Sequence, residues 1–338
     1  MRGTANDTID PIGELAICLK AMVLPEEVII GGANSTRLVT NMTESAAIER
    51  RGLNMKILAL NGSFRKNGNT EILLKQALMG AESEGAKVEI LRLTDYKIGP
   101  CRGCGLCLFR ENVCQVQDDD VRFIFSKVDE CDGMILGAPC YFLELTAVIK
   151  QLIDRCWILG HKIGKAKKPA AVIVPYATRG WIPYVSVHSN LLLNLMGLSK
   201  IDEITICTQG ISEVVLDPEA MDLAFHLGKE TAVAVREKDF TYKGEAGICP
   251  SCHDRLVRIL IDNETIECPT CGVRGNLSIM NGKISVKFEE KAWADNRFRP
   301  DVQYNHFTYH IAPSKDYFLR TKEERKIKTQ KYREYLKA

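Results

Sequence analysis

Between residues 55 and 238, short apolar runs alternate with segments of helical period, and this alternation constrains the fold more than any other feature of the chain. The runs are KILALN (56–61), KVEILRL (87–93), GMILGAP (133–139), AAVIVPYA (170–177) and EITICT (203–208). Turn residues bound each run, and its consecutive apolar positions suit a strand covered on both faces. Four helical stretches lie among them. NTEILLKQALMGAESEG (69–85) ends on Gly85, and DDDVRFIFSKVDECD (118–132) opens on acids that favour a helix N-terminus. LTAVIKQLIDRCW (145–157) and DPEAMDLAFHLGKETAVAVREK (217–238) complete the set, the latter with Asp217 as cap and Pro218 in the first turn. The pattern predicts an α/β fold built on a doubly wound, five-stranded parallel sheet. On such sheets ligands bind beyond the carboxyl ends of the strands.

The flanking segments have a different texture. Residues 1–54 carry apolar runs without a firm period, and Glu49-Arg50-Arg51-Gly52 precedes MKILALNGS. Those four codons can be written as a purine run of the kind that forms a bacterial ribosome-binding site. Met55 is therefore one candidate native start, and a genuine N-terminal extension is the other. From about residue 240 the α/β pattern breaks into a linker (239–247), a cysteine module (248–288) and a basic tail (289–338). The net charge of +2 points to no acidic partner. No long uncharged apolar run predicts a membrane span. Asp7, Asp10 and Glu14 interrupt any signal-peptide pattern, so the expected compartment is the cytoplasm. A reducing compartment disfavours disulfides, and eight of the thirteen cysteines fall in two tight groups, which points to metal.

The loop NGSFRKNGNT (61–70) joins the first strand to the first helix. Its glycines and small polar residues suit backbone amides wrapped around an anion. The GxGxxG pattern is absent. Gly62 and Gly68 are one residue too far apart for a Walker A loop, and Asn69 replaces its lysine. The loop thus suits a single phosphate, with neutral bonds from Ser63, Asn69 and Thr70 and a charged one from Arg65.

Cys101, Cys104, Cys107 and Cys114 follow the second strand, with Gly103 and Gly105 among them. Three thiols at x2 spacing and a fourth nearby provide the dense ligand supply of a [4Fe–4S] cluster. Zinc and thiol redox chemistry are the alternatives. The x2-x2-x6 spacing departs from that of a bacterial ferredoxin. Cys131, Cys140, Cys156 and Cys207 fall within strand or helix patterns and are expected in the core. Cys249, Cys252, Cys268 and Cys271 form two CxxC knuckles fifteen residues apart, the spacing of a zinc ribbon. A rubredoxin-like iron centre is its rival. Hairpin turns are expected at Asp262-Asn263 and Asn281-Gly282. His253 is expected at the surface.

GSFRKNGNT and GAPCYFLELTAVIKQLIDR (137–155) together resemble the NADPH-dependent FMN reductase family of flavodoxin-like proteins, and the cysteine loop at 100–115 resembles its iron–sulfur flavoprotein branch. The resemblance covers residues 55 to about 238. It implies FMN, with its phosphate at Ser63, Arg65, Asn69 and Thr70 and its ring against Pro139, Tyr141 and Phe142. Core packing is the alternative for the two aromatics. ATRGW (177–181) forms a third lip, where Arg179, Gly180 and Trp181 would meet flavin or nicotinamide, with a surface Trp capping a helix as the alternative. The resemblance also implies a homodimer or tetramer, with the cluster of one subunit near the flavin of another. NAD(P)H or a ferredoxin-like carrier is the expected donor. Flavin redox chemistry calls for no catalytic acid–base residue, because the protein positions and tunes the cofactor. A different reading is a scaffold that uses the ribbon and tail to hold nucleic acid or a protein partner, with a non-catalytic flavodoxin-like domain. The tail itself reads as a solvated helix face.

Overall fold

The computed structural model describes residues 55–110, 113–162, 167–245, 247, 249–289 and 291–335; the question of a native start at Met55 concerns residues outside this set. The chain opens with β1 (Lys56–Asn61), α1 (Asn69–Ser83) and β2 (Lys87–Arg92). A one-turn helix at Leu106–Phe109 interrupts the cysteine loop before α2 (Val121–Glu130). Next come β3 (Gly133–Gly137), the short strands β4 (Cys140–Tyr141) and β5 (Glu144–Leu145), and α3 (Ala147–Arg155). The α/β portion ends with β6 (Lys168–Tyr176), α4 (Val185–Leu195), β7 (Leu198–Cys207) and α5 (Pro218–Glu237).

The five long strands form one sheet in the order β2-β1-β3-β6-β7, with every pairing parallel. This is the expected flavodoxin-like topology. The alternation of side chains along each strand divides the core in two. Leu58, Leu60, Met134, Leu136, Val172 and Val174 face α2, α3 and α4. Ile57, Ala59, Ile135, Ala171 and Ile173 face α1 and α5. Helix α4 was not anticipated. Its segment, VSVHSNLLLNL, mixes β-branched and polar residues with a continuous apolar run, so no helical stripe stands out. Packing decides its conformation: Val185, Leu192 and Leu193 are fully buried beside the sheet.

Beyond the sheet, β8 (Arg258–Ile259), β9 (Thr265–Glu267), β10 (Arg274–Met280) and β11 (Lys283–Lys287) form an antiparallel sheet in the order β11-β10-β9-β8. The β10–β11 turn is Asn281-Gly282, with φ of 53° and 72°, the left-handed pair a two-residue hairpin turn requires. The tail continues as α6 (Pro300–His306), a π-helical turn (Phe307–Ile311), α7 (Ala312–Arg320) and α8 (Lys322–Glu334). Among the described residues no helix is long and apolar enough to cross a membrane.

Helices α1 and α5 touch backbone to backbone. A Cβ at Gly228 would lie 1.7 Å from the Ala77 carbonyl oxygen, and one at Gly80 would lie 1.9 Å from that of Phe225. Glycine therefore serves here for close approach, against a helix-propensity loss of about 1 kcal/mol relative to alanine. Replacing Gly228 with alanine reverses the expected sign of that propensity. The substitution should destabilise the protein by about 1–3 kcal/mol through overpacking. Urea titration checks this, and an unchanged or raised midpoint would rule out the close contact.

Candidate functional site

The loop after β1 is fixed from below. Thr146 Oγ1 donates to the Gly62 carbonyl at 2.7 Å, and a Cβ at Gly62 would fall 2.3 Å from Ile149 Cδ1. The loop then curls on its own side chains. Ser63 N–H donates to Asn61 Oδ1 at 2.9 Å, and Arg65 N–H donates to Ser63 Oγ at 3.2 Å. Asn67 adopts φ of 51° and donates its N–H to Glu71 Oε2 at 2.8 Å. Burial opposes ionisation of Glu71, but hydrogen bonds from Lys75 and the Asn67 N–H hold its carboxyl below the usual range. No side chain caps α1, so the amides of its first turn are available to an anion.

A cavity of about 360 Å³ opens at the carboxyl ends of the strands. Ser63, Arg65, Asn69, Thr70, Pro139, Tyr141 and Phe142 all line it. Thr178 and Trp181 line it as well, whereas Arg179 and Gly180 between them do not. Asn69 is shared with the structure below: its Nδ2 donates to the Gly210 carbonyl at 2.8 Å, and its Oδ1 accepts from Val214 N–H at 3.2 Å. Ser212 Oγ adds a 2.5 Å bond to the Asn67 carbonyl. Sequence reasoning missed Tyr176, Thr208 and Gln209 on the wall. They end β6 and follow β7, so the rule that ligands bind beyond strand carboxyl ends would have nominated them. Thr208 Oγ1 is buried without a partner, a polar group aimed at no protein atom.

The cavity mouth is a hairpin. Strands β4 and β5 pair antiparallel through Phe142 and Leu143, with φ of 48° and 72°. Left-handed backbone in two bulky residues stores strain of order 1–3 kcal/mol each. Phe142 is 97% exposed, so the core-packing alternative does not hold for it. Cys140, half-buried in the same wall, donates its thiol to the Trp181 carbonyl at 3.0 Å, and burial pushes its pKa up. Cys131 and Cys156 are buried, and burial raises the Cys131 thiol to about 11. Cys207 is exposed at the end of β7 rather than in the core.

A second cavity of about 210 Å³ is lined by all of Cys101, Cys104, Cys107 and Cys114. Gly103 and Gly105 have φ of 62° and 70°, which turns the chain back between successive cysteines. Cys101 and Cys104 are exposed, while Cys107 and Cys114 pack against the core. Burial raises the Cys107 pKa, and the negative charge of Cys114, Cys101 and Cys104 adds to the shift. Four sulfurs facing one space repel one another as anions, and a cationic metal core relieves that repulsion. A cubane binds each thiolate at a different iron, which suits sulfurs spread around a cavity rather than converged on a point.

Arg155, at the end of α3, holds this loop. Its side chain and that of Asp119 are each 1% exposed and form an ion pair. Arg155 Nη1 also donates to the Gly99 carbonyl at 2.8 Å, and Nη2 reaches Cys114 Sγ at 3.4 Å. Asp119 Oδ2 accepts the Gly99 N–H at 3.1 Å. The two cavities share no lining residue. The phosphate loop packs at the start of α3 and the cysteine cavity at its end, about 13 Å apart for nine residues of helix.

Cys249, Cys252, Cys268 and Cys271 are buried, with sulfur atoms all within 4.8 Å of one another. The Cys249–Cys271 and Cys252–Cys268 pairs are each 3.5 Å apart. A tetrahedral Zn²⁺ with ligands at 2.3 Å needs sulfurs about 3.8 Å apart, so the group fits one four-coordinate ion. Hydrogen bonds with Cys252, Cys268 and Cys271 lower the Cys249 pKa, whereas those with Cys249, Cys268 and Cys271, together with burial, raise that of Cys252. His253 is outside this group. It is half-buried rather than a plain surface residue, and it stacks on Tyr242 with centroids 4.1 Å apart. Burial, with the charges of Glu203 and Asp202, raises Tyr242 to about 12.

The Arg155–Asp119 pair yields a prediction with a control. Arg155→Met leaves a buried carboxylate unpaired and should cost about 3–5 kcal/mol. Arg155→Met with Asp119→Leu removes both charges and should recover most of that loss. Denaturant unfolding of the two variants decides: equal losses would show that the charges are not paired in the folded protein.

Residues 55–199 match the NADPH-dependent FMN reductase family. An iron–sulfur flavoprotein of Archaeoglobus fulgidus is 33% identical over 184 residues, which are 54% of this chain and 82% of that relative. An iron–sulfur flavoprotein of Methanocaldococcus jannaschii is 42% identical over 101 residues, 30% of this chain, and the chain spans only about half (51%) of that relative's length. Among solved structures, a flavone reductase superposes with a TM-score of 0.69 at 20% identity, covering 84% of this chain and 99% of the other. That last likeness is one of fold. With the phosphate loop, the cysteine loop and the sheet order already in place, these matches show that the chain belongs to the iron–sulfur flavoproteins of the NADPH-dependent FMN reductase family.

Proposed function

We propose that the protein is an FMN- and [4Fe–4S]-dependent oxidoreductase that passes electrons between NAD(P)H or a ferredoxin-like carrier and a small-molecule or protein acceptor. One observation carries the reading. A cavity of about 360 Å³, in the size range of cofactor sites, joins an uncapped helix N-terminus to an aromatic hairpin at the carboxyl end of the sheet. Ser63, Arg65, Asn69, Thr70 and the first amides of α1 hold the phosphate. Pro139, Tyr141 and Phe142 border the ring, with Tyr141 and Phe142 offering aromatic faces at the opening. Arg179 and Gly180 lie outside the wall, beside Thr178 and Trp181 in sequence.

FMN bound there supplies hydride acceptance and one-electron release. Cys101, Cys104, Cys107 and Cys114 hold the cluster that carries single electrons, with Arg155 as the fixed cation beside Cys114. Likeness to the iron–sulfur flavoproteins supports a homodimer or tetramer in which the cluster of one subunit lies near the flavin of another. Zn²⁺ occupies the four-cysteine ribbon and stabilises a unit with too small an apolar core of its own.

Anaerobic absorption of the purified protein should show flavin bands and a broad visible shoulder that dithionite bleaches. Metal analysis should return about four irons and one zinc per chain. A colourless, zinc-only protein would overturn the reading in favour of a scaffold. Cys107→Ala should lose the shoulder and keep the flavin bands, so a full cluster in that variant would remove Cys107 from the ligand set. Rates with NADH, NADPH and reduced ferredoxin identify the donor.

A further inference from the structure

One buried polar group on the wall of the larger cavity has no protein partner. Among the described residues, several side chains hold a buried nitrogen or oxygen without a hydrogen bond, and of these only Thr208 lines that cavity. An unsatisfied buried hydroxyl destabilises a fold, and native structures keep few of them. The hydroxyl and methyl of a threonine exchange places by one rotamer step. Thr208 Oγ1 therefore faces either protein that offers it no partner or the open cavity.

The main chain around Thr208 fixes its place on the wall. Its N–H donates to the Tyr176 carbonyl at 2.8 Å, next to the lip at 177–181. Two residues later, the Gly210 carbonyl accepts from Asn69 Nδ2 at 2.8 Å, at the first residue of α1. Val214 N–H and Ser212 Oγ add bonds to Asn69 Oδ1 and the Asn67 carbonyl. Glu213 Oε2 accepts from the N–H groups of Gln209 and Gly210, which braces the strap 208–214 on itself. One end of the strap thus adjoins the aromatic side of the cavity, and the other adjoins the phosphate loop. Thr208 and Gln209 form the wall between.

FMN has its parts in the same order: an aromatic ring, a ribityl chain of hydroxyls, a phosphate. A flavin with its ring at the hairpin and its phosphate at α1 carries the ribityl chain past Thr208. The Asn69 side chain does not serve that stretch, because the strap takes both of its polar ends. A threonine hydroxyl donates one bond and accepts others, which matches a neutral polyol.

We infer that Thr208 is a cofactor-binding residue whose Oγ1 hydrogen-bonds a ribityl hydroxyl of the bound flavin, with the strap 208–214 holding it in place. This assignment rests on the flavin reading of the cavity. It adds a wall from outside the part that matches the FMN reductase family, residues 55–199.

Flavin-free protein titrated with FMN and with riboflavin, followed by flavin fluorescence, tests it in Thr208→Val and Thr208→Ser. Thr208→Val should raise the dissociation constant about 5- to 30-fold for both flavins, since riboflavin keeps the ribityl chain and lacks only the phosphate. Thr208→Ser restores the hydroxyl and should bind within about 3-fold of the unaltered protein. Urea unfolding of the flavin-free proteins separates binding from folding. The Thr208→Val midpoint should be unchanged or higher, because a methyl replaces a hydroxyl that nothing satisfies. Undiminished FMN affinity in Thr208→Val, or no recovery in Thr208→Ser, would overturn the assignment. So would a loss confined to FMN, which would put the contact on the phosphate, or a lowered urea midpoint, which would make the hydroxyl structural. An unaltered protein that takes up no FMN overturns the flavin reading itself, a result visible before any variant is made.

Discussion

The buried pair of Arg155 and Asp119 is the constraint on which the cysteine loop depends. A loop carrying four thiols has no regular ladder to fix it, and its glycines add freedom rather than order. The guanidinium supplies the missing order. Its fork reaches Gly99 before the first cysteine, Cys114 at the last, and Asp119 just before α2. Entry and exit of the loop are thus tied to one rigid group at the end of a packed helix. Lysine would not substitute, since a single ammonium cannot span three acceptors in a plane. The charge also sits where anionic sulfur accumulates. The group that orders the loop therefore contributes to the electrostatics that a metal cluster meets there.

Most of the sheet was legible because parallel strands buried on both faces read as continuous apolar runs, and all five runs became strands. Their boundaries moved where packing extends a strand beyond its apolar centre, as at Lys168 and Leu198. Helix α4 was not legible because nothing in its local pattern distinguishes a buried helix from a buried strand. The phosphate loop stood out through composition, and eight nominated residues, Trp181 among them, do converge on one cavity. Thr208 and Gln209 did not stand out, because a wall residue contributed by strand order has no local signature. Arg179 and Gly180 show the reverse limit: adjacency in sequence to Thr178 and Trp181 does not place a side chain on the same wall.

The two cysteine groups illustrate a related point. Both are dense in thiols, yet they differ in how the backbone presents them. The ribbon knuckles bend through short N–H to carbonyl bonds, such as His253 to Cys249 at 3.0 Å and Gly272 to Cys268 at 2.9 Å, and bring four sulfurs to one point. The loop at 101–114 spreads its sulfurs around a space. Convergence suits a single ion and dispersion suits a polynuclear one. Spacing in the sequence carries this difference only indirectly, through the turns it permits.

The backbone contact between α1 and α5 bears on how the protein is made. Gly80 and Gly228 come from opposite ends of the α/β portion, and the bonds from Asn69 to Gly210 and Val214 bridge a similar separation. During synthesis, the segment that shapes the phosphate loop leaves the ribosome well before the segments that clamp it. The loop acquires its full set of bonds only when the segment 210–214 has joined it, a late and non-local event. Cofactor capture is therefore a step of the finished domain rather than of the nascent chain.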